Sequence, residues 1–135
     1  MVREADFCCP EIFVTLTPGA YLKCRRTASG KSHEDVVDVI ETDPAMSQAE
    51  RIEWLKMIEA DLVAVRWSTI VALRQRFPFD LAVLERLSVI HDGYDLPLPR
   101  LCRICASSDT GPLGIAVPAW GWDAPDLCIA CASAT

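Results

Sequence analysis

Four cysteines stand as two pairs near the end of the chain, Cys102-x-x-Cys105 and Cys128-x-x-Cys131, with 22 residues between the pairs. Two residues between thiolates let both sulfurs of a tight knuckle reach one ion. Two knuckles then supply the four soft ligands of a closed tetrahedral site, with no position left for water or substrate. The expected cofactor is one structural Zn2+ held by Cys102, Cys105, Cys128 and Cys131. An iron–sulfur cluster, paired disulfides or a thiol switch are the competing uses of such a set. A redox motif of the Cys-x-x-Cys kind sits beside a βαβ pattern, and none surrounds these pairs.

The loop between the pairs, "ASSDTGPLGIAVPAWGWDAPDL", has Gly and Pro punctuation suited to a small hairpin. A tail this short cannot build a core of its own. Zinc binding, worth about 10–16 kcal/mol in small finger peptides, would supply the missing stabilisation. The tail resembles the broad class of four-cysteine zinc ribbons and treble clefs, a likeness that covers about a quarter of the chain. It implies a metal-held module and names no function, since such modules bind DNA, RNA, proteins or nothing.

The remaining reactive side chains form no second set. Cys8, Cys9 and Cys24 lack knuckle spacing, and free cysteine usually behaves as a small buried hydrophobe. "RRTASGKS" offers Gly30, Lys31 and Ser32 of a phosphate-binding loop, but Arg25 stands where its first glycine belongs. Ser32 reads better as a helix cap. The two histidines, His33 and His91, each adjoin an acid in sequence, and adjacent residues do not face each other on a helix. No nucleophile, base and orienting group can be assembled from these residues. The chain is therefore expected not to be an enzyme.

Two features point to protein binding. Trp120 and Trp122 lie in the finger loop, and tryptophan is enriched among interface hot spots. Glu34, Asp38 and Glu41 share a helical spacing that could meet a basic partner. Packing of the indoles onto the helices, and a plain solvated face, are the blander readings of the same residues. Nucleic-acid binding is the alternative, through the cluster Lys23, Arg25 and Arg26. A helix-turn-helix is disfavoured, because Arg86 is the only Lys or Arg in "LAVLERLSVIH".

The elements that would position these residues are mostly helical. "EIFVTLTPGAYLKCRR" reads as a β-hairpin, with Ile12, Val14 and Leu16 alternating, a Pro18-Gly19 turn and a return strand from Tyr21 to Arg26. Ser32 and Asp35 have capping-box spacing for a short helix closed before Pro44. Ser47 and Glu50 open one long central helix in which Ile52, Leu55, Ile58, Leu62, Val65 and Leu73 share a face. Ala64, Trp67 and Val71 make that helix apolar on its other side too. Asp80 caps a third helix that buries Leu81, Leu84, Leu87 and Ile90 and stops at Asp92-Gly93. "DGYDLPLPR" is an extended connection. The expected fold is α+β and mainly helical, with an N-terminal β-hairpin, three helices and a C-terminal four-cysteine zinc module. Residues 1–96 form the core domain and 97–135 the module.

Composition bounds the function. The chain has 135 residues, 51% of them hydrophobic and 24% charged, which suits one domain able to bury a core. Its net charge is −6, and the acidic excess is concentrated in residues 34–66, where nine acids meet three Lys/Arg. That balance argues against non-specific nucleic-acid binding. No run reaches the length of a transmembrane helix and no signal peptide is evident, so a cytoplasmic location is expected. Arg outnumbers Lys ten to three, a hint of a GC-rich source genome. The functional expectation is a small zinc-stabilised interaction or regulatory protein, of adaptor or inhibitor-like kind. Its partner would be a protein with a basic surface, and a homodimer is possible. A zinc-containing DNA- or RNA-binding transcriptional regulator is the alternative.

Overall fold

The computed structural model of the chain describes residues 16–40, 45–108, 121–124 and 126–133. About half of the described residues are helical. The described elements are α1 (Pro18–Ala28), α2 (His33–Val37), α3 (Gln48–Glu59), α4 (Trp67–Arg74), α5 (Leu81–His91), β1 (Trp122–Ala124), β2 (Leu127–Cys128) and α6 (Ile129–Ser133). No helix among the described residues is long and apolar enough to cross a membrane.

The expected N-terminal hairpin is corrected. Its proposed return strand, Tyr21 to Arg26, lies in α1, and its first strand falls almost wholly outside the described residues. The one described hairpin is at the other end of the chain, where β1 and β2 pair antiparallel. The reason is local. Thr17 is an N-cap whose hydroxyl accepts the Ala20 N–H at 3.1 Å. Pro18 then occupies the first helical position, where its missing N–H costs nothing. α1 buries Tyr21, Leu22, Arg25 and Arg26, a stripe of helical period in which two members are cations.

The single central helix is also corrected: it is two helices, α3 and α4, separated by residues 60–66. Asp61 leaves α3 in the left-handed region, with φ 61°, and its carboxylate accepts the Gly19 N–H at 2.8 Å. The next residues alternate in exposure like a strand, Leu62, Ala64 and Arg66 outward, Val63 and Val65 half-buried. Leu62 and Trp67, expected inside, are 72% and 66% exposed.

Gly19 is fixed by this contact. A Cβ there would press on the Ile58 carbonyl oxygen and stand 2.7 Å from the Glu59 carbonyl oxygen. Because the obstacle is backbone, Gly19→Ala should lower stability by about 1–3 kcal/mol, read as a shifted urea midpoint. An unchanged midpoint would mean that α1 and α3 can part freely.

Three caps stand as the sequence requires. Ser32 with Asp35 and Ser47 with Glu50 each form a reciprocal capping box. The cap backbone N–H holds the Asp35 and Glu50 carboxyls below their usual range. Their contribution to stability is therefore present at neutral pH and lost as pH falls through the lowered values. Asp80 caps α5, accepting from Ala82 and Val83 N–H at 2.9 and 3.3 Å. The core joins Tyr21 and Leu22 of α1, Val36 and Val37 of α2, Leu55 and Ile58 of α3, Leu73 of α4, and Leu84 and Leu87 of α5. Phe77 and Phe79 fill it from the α4–α5 turn, and Ala106 enters it from the cysteine segment.

Candidate metal centre

The four cysteine sulfurs lie within 4.8 Å of one another. All four are free thiols, so the segment is not cross-linked by disulfides. The first knuckle closes on itself: Ala106 N–H donates to the Cys102 carbonyl at 2.8 Å and Cys102 N–H to the Ser107 carbonyl at 2.9 Å. Ala106 takes a left-handed φ of 60° to make that turn, an unusual conformation for a residue with a Cβ.

Each knuckle aims a backbone N–H at its first sulfur. Ile104 N–H lies 3.4 Å from Cys102 Sγ, and Cys131 N–H lies 3.4 Å from Cys128 Sγ. The second knuckle rides on β2 and α6, which carry Cys128 and Cys131. Ile129 N–H donates to the Gly121 carbonyl at 3.0 Å, tying α6 to the start of β1. Cys105 Sγ and Cys128 Sγ, from different knuckles, are 3.8 Å apart. Cys102 and Cys128 are buried, and Cys105 and Cys131 are half-buried.

The thiols perturb one another because they crowd one small volume. Hydrogen bonding from the Cys105 thiol pushes Cys102 down to about 4, helped by nearby backbone N–H groups. The same bond, with burial, pushes Cys105 up. Burial is the main cause that raises Cys131 to about 12. A metal ion bound among them would favour the ionised form of all four sulfurs. The arrangement can bind a metal ion and gives it four sulfur ligands.

The surroundings hold the knuckles from outside the cysteine motif. Arg25 of α1 donates from Nη1 to the Cys105 carbonyl oxygen and, at 3.4 Å, to Ser107 Oγ. Its Nε donates to the Pro78 carbonyl at 3.0 Å. Ser108 Oγ donates to Asp80 Oδ2 at 2.8 Å, and Asp80 N–H donates to the Tyr21 hydroxyl oxygen at 2.8 Å. Burial raises the Tyr21 pKa, so that hydroxyl stays neutral. Arg103 clasps the second knuckle, with Nη1 2.5 Å from Asp126 Oδ1 and its N–H 2.7 Å from the Asp126 carbonyl.

Sequence reasoning alone does not single out these supporting residues. Arg25 and Arg26 look like part of an exposed basic cluster, yet they are 4% and 5% exposed. One signal is their helical spacing with Tyr21 and Leu22 in a segment that Thr17 and Pro18 open as a helix. The pair Ser107-Ser108, directly after the first knuckle, offers a second.

Of the other candidates, Trp122 adjoins the metal centre, its β1 position pairing with Cys128. Trp122 is half-buried in β1, with the Arg100 guanidinium 4.1 Å from its ring centre. Glu34 and Asp38 are exposed beside α2, and Asp38 pairs with Arg76 at 2.9 Å. Trp120, Glu41, Cys8 and Cys9 lie outside the described residues. Cys24 is fully buried in the core. His33 reaches across to Glu59, Nε2 to Oε1 at 2.9 Å, whereas His91 is exposed at the end of α5. No protein-family model, no curated protein and no solved structure matches the chain.

Proposed function

We propose that the chain is a small interaction or regulatory protein, adaptor or inhibitor-like, stabilised by one structural Zn2+ on Cys102, Cys105, Cys128 and Cys131. The observation that carries the metal half is the convergence of four free thiols within 4.8 Å on two knuckles. Sulfur ligands in this number and spacing suit zinc in a closed site, which stabilises structure and activates no water. A reducing compartment such as the cytoplasm would keep those thiols available to it. No enzymatic role is proposed.

The interaction half is supported by apolar surface that the fold leaves uncovered. Trp67 and Val71 are one turn apart on α4 and both exposed. Large exposed apolar side chains in a cluster are a common mark of a contact surface. The nucleic-acid reading keeps only the exposed Lys23 of its three cations, because Arg25 and Arg26 are buried in hydrogen bonds to the chain itself.

The test is native mass spectrometry of the protein purified gently from its own cells. The expected spectrum holds the chain with one zinc, alone and in a heavier species with a second polypeptide. Trp67→Glu should leave zinc content and stability unchanged, as exposed sites usually do, and weaken the heavier species about tenfold or more, the scale of a hot spot. Persistence of the heavier species in Trp67→Glu would remove α4 from the proposal, and a species carrying nucleic acid would replace it.

A further inference from the structure

Arg25 is a buried cation whose partners are drawn from two parts of the molecule. On the helical side it holds the Pro78 carbonyl, in the turn that leads to Asp80 and α5. On the cysteine side it holds the Cys105 carbonyl and the Ser107 hydroxyl, the far edge of the first knuckle. Among the described residues no carboxylate pairs with it, so neutral acceptors satisfy its charge, and two of the three belong to the knuckle. A second link runs in parallel, from Ser108 to Asp80 and from Asp80 to Tyr21, one turn before Arg25 on α1. Asp80 is at the same time the cap of α5.

A buried charge stripped of its acceptors is strongly unfavourable. The knuckle has little core of its own, apart from Ala106, to keep it in place without an ion. We propose that the helical core responds to occupancy of the four-cysteine site through Arg25: when the ion leaves and the knuckle opens, the guanidinium loses Cys105 and Ser107, and α1 loosens against α5. This coupling rests on the reading of the four cysteines as a metal site. It makes the pair of elements a metal-dependent conformational device, and any surface they present becomes conditional on the ion.

Hydrogen exchange on the full chain tests it, after native mass spectrometry has established the metal content. With one zinc bound, the amides of 22–27 in α1 and 81–84 in α5 should be well protected. A thiol-compatible chelator should speed their exchange by tenfold or more, together with that of the cysteine segment. In Arg25→Met, which removes the charge and keeps much of the bulk, chelation should change α1 exchange by less than about threefold. A chain that carries one zinc and keeps α1 and α5 protected after chelation overturns the coupling alone. A chain that takes up no zinc overturns the metal reading, and the coupling with it. The wild-type comparison needs no variant, so it decides whether the helical core responds to the ion even where Arg25→Met folds poorly.

Discussion

Glu59→Ala is expected to destabilise the chain by about 3–5 kcal/mol, among the largest effects of any single substitution outside the cysteines. Glu59 closes α3 with its carboxylate 5% exposed, and Arg26 meets it through two nitrogens, Nε at 2.7 Å and Nη2 at 3.1 Å. His33 reaches the same carboxylate from α2, so one acid joins three helices. Removing it leaves the Arg26 guanidinium buried with only the Lys31 carbonyl, at 2.8 Å, among its described partners. The penalty comes from the stranded charge and not from the worth of the pair. Replacing both partners, Arg26→Met with Glu59→Leu, should therefore recover most of the loss. Urea denaturation of the single and double variants checks it. Equal destabilisation by the two would mean that the pair itself, and not the orphaned cation, carries the energy.

The second large effect is on the metal site. Cys128→Ser should abolish stoichiometric zinc binding and unfold the cysteine segment, since metal binding contributes about 10–16 kcal/mol in comparable small modules. Cys128 is fully buried, pairs with the Trp122 position across the small sheet and accepts the Cys131 N–H. A serine there offers a poor ligand and removes one of two inner thiolates. Cys24→Ser tests specificity: Cys24 is buried in the helical core, away from the cluster, and should leave the zinc content at one. Metal analysis of both variants, with near-UV circular dichroism for the tryptophans, reads the difference. Retention of zinc by Cys128→Ser would exclude it as a ligand.

How much of this the sequence revealed depended on whether the signal was local. Capping boxes at Ser32 and Ser47, and the Asp80 cap, involve residues within one turn, and each stands in the structure. The cysteine spacing is equally local, and the structure brings the four sulfurs together. α1 was hidden because its inward stripe contains Arg25 and Arg26, so hydropathy shows no helical face where burial shows one. Their burial depends on Glu59, Pro78 and Cys105, far away in sequence.

The break between α3 and α4 was hidden for the opposite reason. Ile52, Leu55, Ile58, Leu62 and Val65 keep helical spacing across it, while the chain turns at Asp61 to satisfy Gly19 N–H. The β-branched pair Val63 and Val65, half-buried at alternate positions, was the one local sign of extended chain. Trp67 and Val71, assigned by periodicity to a buried helix, instead became exposed surface. The interaction surface proposed here thus follows from the break.

The most direct test of the central claim is native mass spectrometry of the gently purified chain, without added reductant, with cysteine mapping. The account predicts a mass equal to the chain plus one zinc, with Cys102, Cys105, Cys128 and Cys131 protected from alkylation until a chelator is added. A metal-free chain in which those four cysteines map as two disulfides would contradict it.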